Sequence, residues 1–140
     1  METYIFEHDI EVLCVTAVSF PNGVLKAHQQ LHALLPDIKQ RRIFGISSPD
    51  QNGGIIYKAA AEILNSEEAD QSGQETFVIK KGTYISILIK NFMDDVSKIG
   101  KTFEKLIKQP NIDPEGYYLE DYINETDVRC MVRIKNKKIN

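Results

Sequence analysis

What most constrains the fold of this chain is an order of segments that occurs twice: a strand-like run, an amphipathic helical stretch, then two further strand-like runs. In the first pass residues 10–18 are rich in β-branched side chains and read as a strand, which Phe20-Pro21-Asn22-Gly23 breaks. Val24, Ala27, Leu31, Leu34 and Leu35 then recur at helical spacing, and Pro36 ends the helix by disfavouring helical backbone at the residue before it. Residues 43–46 form the next strand, and the turn-rich stretch 47–54 leads to a return strand over 55–63. Ala59, Ala60 and Ala61 are poor strand formers that leave space where larger side chains would fill it; a short helix over 60–64 is the competing reading.

The second pass follows a polar connector, residues 65–74, which is expected to be solvated and mobile. After the run 75–80 and a break at Lys81-Gly82 comes a strand over 83–90. There Ile85, Ile87 and Ile89 make an apolar face and Tyr84, Ser86, Leu88 and Lys90 a mixed one, which predicts a core under a helix on one side and a more polar cleft on the other. A second helix is expected from near Asn91, with Asp94 and Asp95 in its first turn and Lys105 and Lys108 toward its end, complementing the helix dipole. Its buried stripe reads as Phe92, Val96, Ile99, Phe103, Leu106 and Ile107, and Gly100 costs about 1 kcal/mol there unless something packs closely on it. A proline-containing loop leads to strands over 116–124 and 128–134, and Lys135-Asn136-Lys137-Lys138 reads as a solvated tail.

The predicted architecture is therefore α+β: one domain over 1–140, built from two β-α-β-β units at about 8–64 and 75–135. Their antiparallel sheets would form a curved sheet or barrel with two helices and a central cleft. At 140 residues the chain buries enough surface to fold without disulfides, and 42% hydrophobic with 26% charged residues is an ordinary globular balance. Cys14 and Cys130 sit in apolar runs without ligand spacing, so reduced core thiols are expected. A net charge of −3 argues against a nucleic-acid surface, which needs a basic face. With no apolar run long enough to span a membrane and no signal-peptide pattern at the N-terminus, a cytoplasmic protein is the expectation.

The stretch with the most chemistry in it is Tyr118-Leu119-Glu120-Asp121-Tyr122. Side chains alternate across a strand, so Tyr118, Glu120 and Tyr122 share a face with a carboxylate between two rings. A carboxylate supplies countercharge, and ring faces attract a delocalised cation by about 0.5 to 2 kcal/mol each. The plainer reading is an edge strand with solvated acids. His28 and His32 lie four apart on the first helix, but no Glu follows the first, and they read as flanking polar positions rather than a metal site. No cofactor or metal is called for: there is no phosphate-binding glycine loop, zinc spacing or Ser/His/Asp order.

Over residues 82–134 the chain resembles the GyrI-like small-molecule-binding domain, also found as the effector-binding domain of AraC-type and MerR-type multidrug regulators. The residues that carry the resemblance are Gly82-x-Tyr84 opening a strand, Asp94-Asp95 at the second helix, the proline-containing loop, and Glu120-x-Tyr122 before a final alternating strand. Ser48-Pro49-Asp50 ahead of the Tyr57 strand is similar to the family's first hairpin. The resemblance implies two β-α-β-β halves around a cleft, with Glu120 as counterion to a cationic aromatic ligand and Tyr84, Tyr118, Tyr122 and Tyr57 as ring contacts. Two departures stand out: family members often carry a Trp on the second helix, where this chain has Ile99-Gly100, and no helix-turn-helix is present, so a stand-alone module is expected. The leading expectation is thus binding of an amphipathic small molecule for sensing or sequestration, rather than catalysis. The alternatives are hydrolysis of reactive electrophiles by Glu120 beside Tyr84, and a protein-interaction role like that of gyrase-inhibitor relatives.

Overall fold

The computed structural model describes residues 1–135, so the expected tail lies, beyond Lys135, outside the described residues. Eight strands form one antiparallel sheet curled into a half-barrel: β1 (Glu2–Phe6), β2 (Ile10–Thr16), β3 (Ile43–Pro49), β4 (Ile55–Glu62), β5 (Glu75–Ile79), β6 (Gly82–Ile89), β7 (Tyr118–Tyr122) and β8 (Val128–Arg133). Among the described residues three α-helices accompany them: α1 (Val24–Leu34), α2 (Glu68–Ser72) and α3 (Ser97–Leu106). Among the described residues no helix is long and apolar enough to cross a membrane.

The strand order across the sheet is β1-β6-β8-β7-β3-β4-β2-β5. The first unit therefore starts one strand earlier than the sequence pattern suggested, and the opening strand of each unit crosses to the other half. β1 precedes β2 in the chain but pairs with β6, from Glu2↔Ser86 to Phe6↔Gly82, while β5 precedes β6 but pairs with β2. The two halves meet at the β3–β7 pair, where Ile43 lies opposite Tyr122, Gly45 opposite Glu120 and Ser47 opposite Tyr118. Gly45 and Glu120 form the middle pair, so they occupy equivalent places in the two halves.

Both large helices lie on one face of the sheet. α1 packs through Ala27, Leu31 and Leu35 on Leu13, Tyr57, Ala59 and Ala61; α3 packs through Phe103 and Leu106 on Ile89, Val128, Cys130 and Val132. The alanine run is strand, as the main reading had it, and its small side chains let α1 approach the sheet. The other face curls round a second core of Phe6, Val12, Cys14, Phe44, Ile46, Ile79, Tyr84, Leu119 and Met131. This corrects the reading of β6: Ile85, Ile87 and Ile89 do face α3, but Tyr84 and Ser86 are buried on the other side in packed core, not in a polar cleft. Cys14 and Cys130 are free, buried thiols on opposite faces, and burial pushes the Cys14 thiol up to about 12.

Two further local expectations shift. α3 starts at Ser97, not near Asn91, because Asn91 takes a left-handed conformation (φ 54°) before a single tight turn, Phe92–Asp94. Asp95 then accepts the Ser97 N–H, and Val96 and Ile107 of the expected stripe are exposed. The connector is not a free polar loop but carries α2. Arg41, its side chain 5% exposed, bonds Asp37 at 2.9 Å and Glu68 at 2.6 Å, and Glu68 also accepts the Leu64 and Asn65 N–H groups. Arg41 holds the Glu68 carboxyl down at about 2.

Candidate functional site

A single row of facing residues crosses the helix side of the sheet: Val15, Ala59, Gly45, Glu120, Cys130 and Ile87. Small side chains at Ala59 and Gly45 leave a depression, and Glu120 stands at its edge. Tyr57, on β4, fills the depression from the adjacent row. A Cβ on Gly45 would overlap both Glu120 Oε1 and Tyr57 Oη, so this close approach requires glycine.

Glu120 is only 7% exposed. Its Oε1 accepts two phenol hydrogen bonds, from Tyr57 at 2.8 Å and Tyr122 at 2.7 Å; among the described residues Oε2 accepts none. The Tyr57 hydroxyl is also 2.7 Å from His28 Nε2, on the inward side of α1. Rings close the site around these groups. Phe20 stacks on Tyr57 at 6.0 Å, His28 meets Tyr57 and Tyr122 edge-on at 5.8 and 5.3 Å, and Phe92 meets Tyr122 edge-on at 5.6 Å.

The electrostatics follow from burial. Desolvation pushes the Glu120 carboxyl above its ordinary range, and the two phenol hydrogen bonds pull it part of the way back. Burial and the neighbouring Glu120 charge hold Tyr57 and Tyr122 well above an ordinary phenol, so neither ionises near neutrality. Burial, with His32 adding to it, lowers His28 to about 4, which leaves a neutral imidazole.

Of the five expected site residues, the structure brings Glu120, Tyr57 and Tyr122 into direct contact. Tyr118 shares their face but packs beneath α3, its ring stacked on Phe103 at 5.2 Å. Tyr84 is on the opposite face, fully buried, with its hydroxyl donating to Lys80 O at 2.7 Å and 2.6 Å from Tyr117 Oη. The expectation that Tyr84 stands beside Glu120 is thereby corrected, because alternation along β6 sends it into the inner core. Sequence reasoning missed His28, Gly45, Phe20 and Phe92. His28 is not a flanking polar position but a partner of Tyr57, and the one available signal was Gly45, a glycine inside a strand pattern.

The adjacent acid, Asp121, points to the other face. It is 5% exposed and pairs with Arg42 at 3.0 Å, whose guanidinium lies over the Phe44 and Phe6 rings at 5.0 and 5.4 Å. Glu120 has no such cation among the described residues; its neighbours are phenols and a neutral imidazole. Two surface clefts lie elsewhere: one of about 170 Å³ beside Leu13, Leu31 and Gln74, another of about 370 Å³ beside Phe77, Tyr117 and Arg133.

No known family profile and no curated protein matches this sequence. Solved structures do match the fold. SAV2435 bound to tetraphenylphosphonium is 14% identical, with a TM-score of 0.66 over 97% of this chain and 95% of its own. An integron cassette protein from the mobile metagenome of Vibrio cholerae is 12% identical, at 0.68 over 96% and 95%. A hydrolase from Listeria innocua is 11% identical, at 0.63 over 96% and 90%. At these identities the likeness is one of fold.

Proposed function

We propose that this chain is a GyrI-like small-molecule-binding protein whose ligand is amphipathic, cationic and aromatic, held between α1 and α3 with Glu120 as its counterion. The observation that carries this reading is the contrast between two buried acids on one strand: among the described residues Asp121 has an internal cation, and Glu120 has only hydrogen-bond donors and aromatic rings. A buried carboxylate without a cation is costly to ionise, and a ligand that brings the positive charge removes that cost. Phe20, Phe92, Tyr57 and Tyr122 supply ring edges and faces for a delocalised cation. A protein of the same fold is bound to tetraphenylphosphonium, which has this chemistry and supports the choice of probe.

The test is titration of tetraphenylphosphonium into the wild type and Glu120→Gln, which keeps the shape and removes the charge. We expect affinity to fall by about tenfold or more, roughly 1.4 kcal/mol. Equal affinities would remove the counterion role.

A second reading, hydrolysis of a reactive electrophile, rests on the raised Glu120 carboxyl, which makes it a stronger base than an ordinary carboxylate, and on the phenols at its side. The aromatic partner would then be Tyr57 or Tyr122, not Tyr84. Turnover of an electrophile that disappears in Glu120→Gln, without tetraphenylphosphonium binding by the wild type, would favour it over the binding role.

A further inference from the structure

The two oxygens of Glu120 are not equivalent. A carboxylate has about four acceptor places, two on each oxygen. Oε1 fills both of its places with the Tyr57 and Tyr122 hydroxyls, at 2.8 and 2.7 Å. Among the described residues Oε2 accepts nothing, although only 7% of the residue is exposed. Its cross-strand neighbours do not fill the gap: Gly45 has no side chain, and Cys130 makes no hydrogen bond to it. Nor is Oε2 sealed in. Among the described residues the fully enclosed side-chain nitrogen or oxygen without a partner is Arg133 Nε, not this oxygen, so solvent or a ligand can reach Oε2. Around it, the loop between β2 and α1 brings Phe20 to Tyr57, and the turn before α3 brings Phe92 to Tyr122. The same two segments expose Val18 and Met93. An apolar body therefore fits outward against rings and loops, and the polar end of a ligand fits inward against Oε2.

Resting on the ligand site assigned above, we propose that the cation it takes carries an N–H at its charged centre, as a protonated amine or ring nitrogen does, and that this N–H donates to Glu120 Oε2. A charge-assisted bond of this kind has an N···O distance of about 2.7–2.9 Å. A quaternary nitrogen or phosphorus keeps its charge behind carbon, and its C–H groups approach an oxygen no nearer than about 3.3 Å. Such a cation supplies the countercharge but leaves Oε2 without a donor in a site that excludes most water. The preference is not automatic. An N–H cation is more strongly hydrated than its alkylated counterpart, so a site made only of ring faces would favour the quaternary one. The sign of the preference therefore reports the open acceptor.

The test compares two probes, dimethyl(naphthylmethyl)ammonium and trimethyl(naphthylmethyl)ammonium, by calorimetry at a neutral pH where the first is protonated. They share the ring and the single positive charge, so whatever it costs to ionise Glu120 is common to both. We expect the wild type to bind the N–H cation about tenfold more tightly. In Glu120→Gln the amide oxygen keeps the two phenols and the amide NH2 group takes the place of Oε2, which sets donor against donor. Both probes should then weaken, and the N–H cation should lose its advantage. The wild-type comparison decides the matter even if this variant does not fold. Equal binding to the wild type, or tighter binding of the quaternary probe, would overturn the hydrogen bond to Oε2, as would an N–H preference that survives in Glu120→Gln. Weakening of both probes in that variant would still leave Glu120 as the counterion. If Glu120→Gln binds both probes as the wild type does, the counterion role falls and this inference with it; if neither probe binds the wild type, the ligand site itself falls.

Discussion

Glu120 and Asp121 are neighbours in the chain, equally hidden from solvent, and built into opposite solutions of the same problem. On the inner face Asp121 is matched by Arg42, whose guanidinium is itself sandwiched against aromatic rings, so the charge is settled within the fold. On the helix face Glu120 meets two phenols and, among the described residues, no cation; burial lifts both carboxyls, but only Asp121 has a guanidinium pulling it back. Ion pairing within a fold serves architecture; a carboxylate supported only by neutral donors keeps its charge available for something else.

The contrast can be broken most severely at Gly45. Gly45→Ala puts a methyl group where Glu120 Oε1 and Tyr57 Oη lie, and we expect a loss of about 3 kcal/mol by overpacking and a broken buried hydrogen bond, measured by urea unfolding. A cost below about 0.5 kcal/mol would mean that the helix-side site is loosely held. Next is Arg42→Met, which strands Asp121. Because Arg42 is partly exposed (35%), the expected loss is about 2 kcal/mol, below the range for a fully buried pair. If this variant were as stable as the wild type, the two acids would not differ in the way described.

Glu120→Gln sharpens the comparison from the other side. The folded carboxyl is raised, so the native state holds more protons than the unfolded chain over the window from the ordinary Glu value up to the raised one, and stability falls as pH rises through it. Removing the charge should therefore leave the protein as stable or more stable at pH 7, with the advantage vanishing at low pH; destabilisation at neutral pH would contradict this. The smallest effect is expected at Gly100, where an added Cβ meets nothing. Gly100→Ala should stabilise by up to about 1 kcal/mol through helix propensity alone, raising the melting temperature without altering ligand affinity.

Much of the fold was legible in local pattern. Alternation marked most of the strands, and helical spacing marked α1 and the body of α3, because each depends on side chains within a few residues of one another. β1 escaped notice because Glu2–Phe6 has no core of its own, and its partner is eighty residues away on β6. α2 was hidden in a polar stretch because Arg41, well before it in the chain, anchors it. In the site, alternation along β7 correctly put Glu120 and Tyr122 on one face, yet a similar resemblance-based expectation for Tyr84 failed. Nothing local says which face of β6 turns toward the helices and which toward the inside of the curl.

By itself, then, the sequence determined an antiparallel α+β protein with a repeated unit and a carboxylate flanked by tyrosines, since short-range periodicity and turn chemistry suffice for those. Only the tertiary structure decided that the first strand of each unit crosses to the other half, that Gly45 stands opposite Glu120, and that His28 reaches Tyr57. The physical reason is that pairing register and helix packing depend on the burial of all the strands together. One residue of slip in β7 would send Glu120 to the inner face and Asp121 to the helices, with no change in the local pattern of the strand.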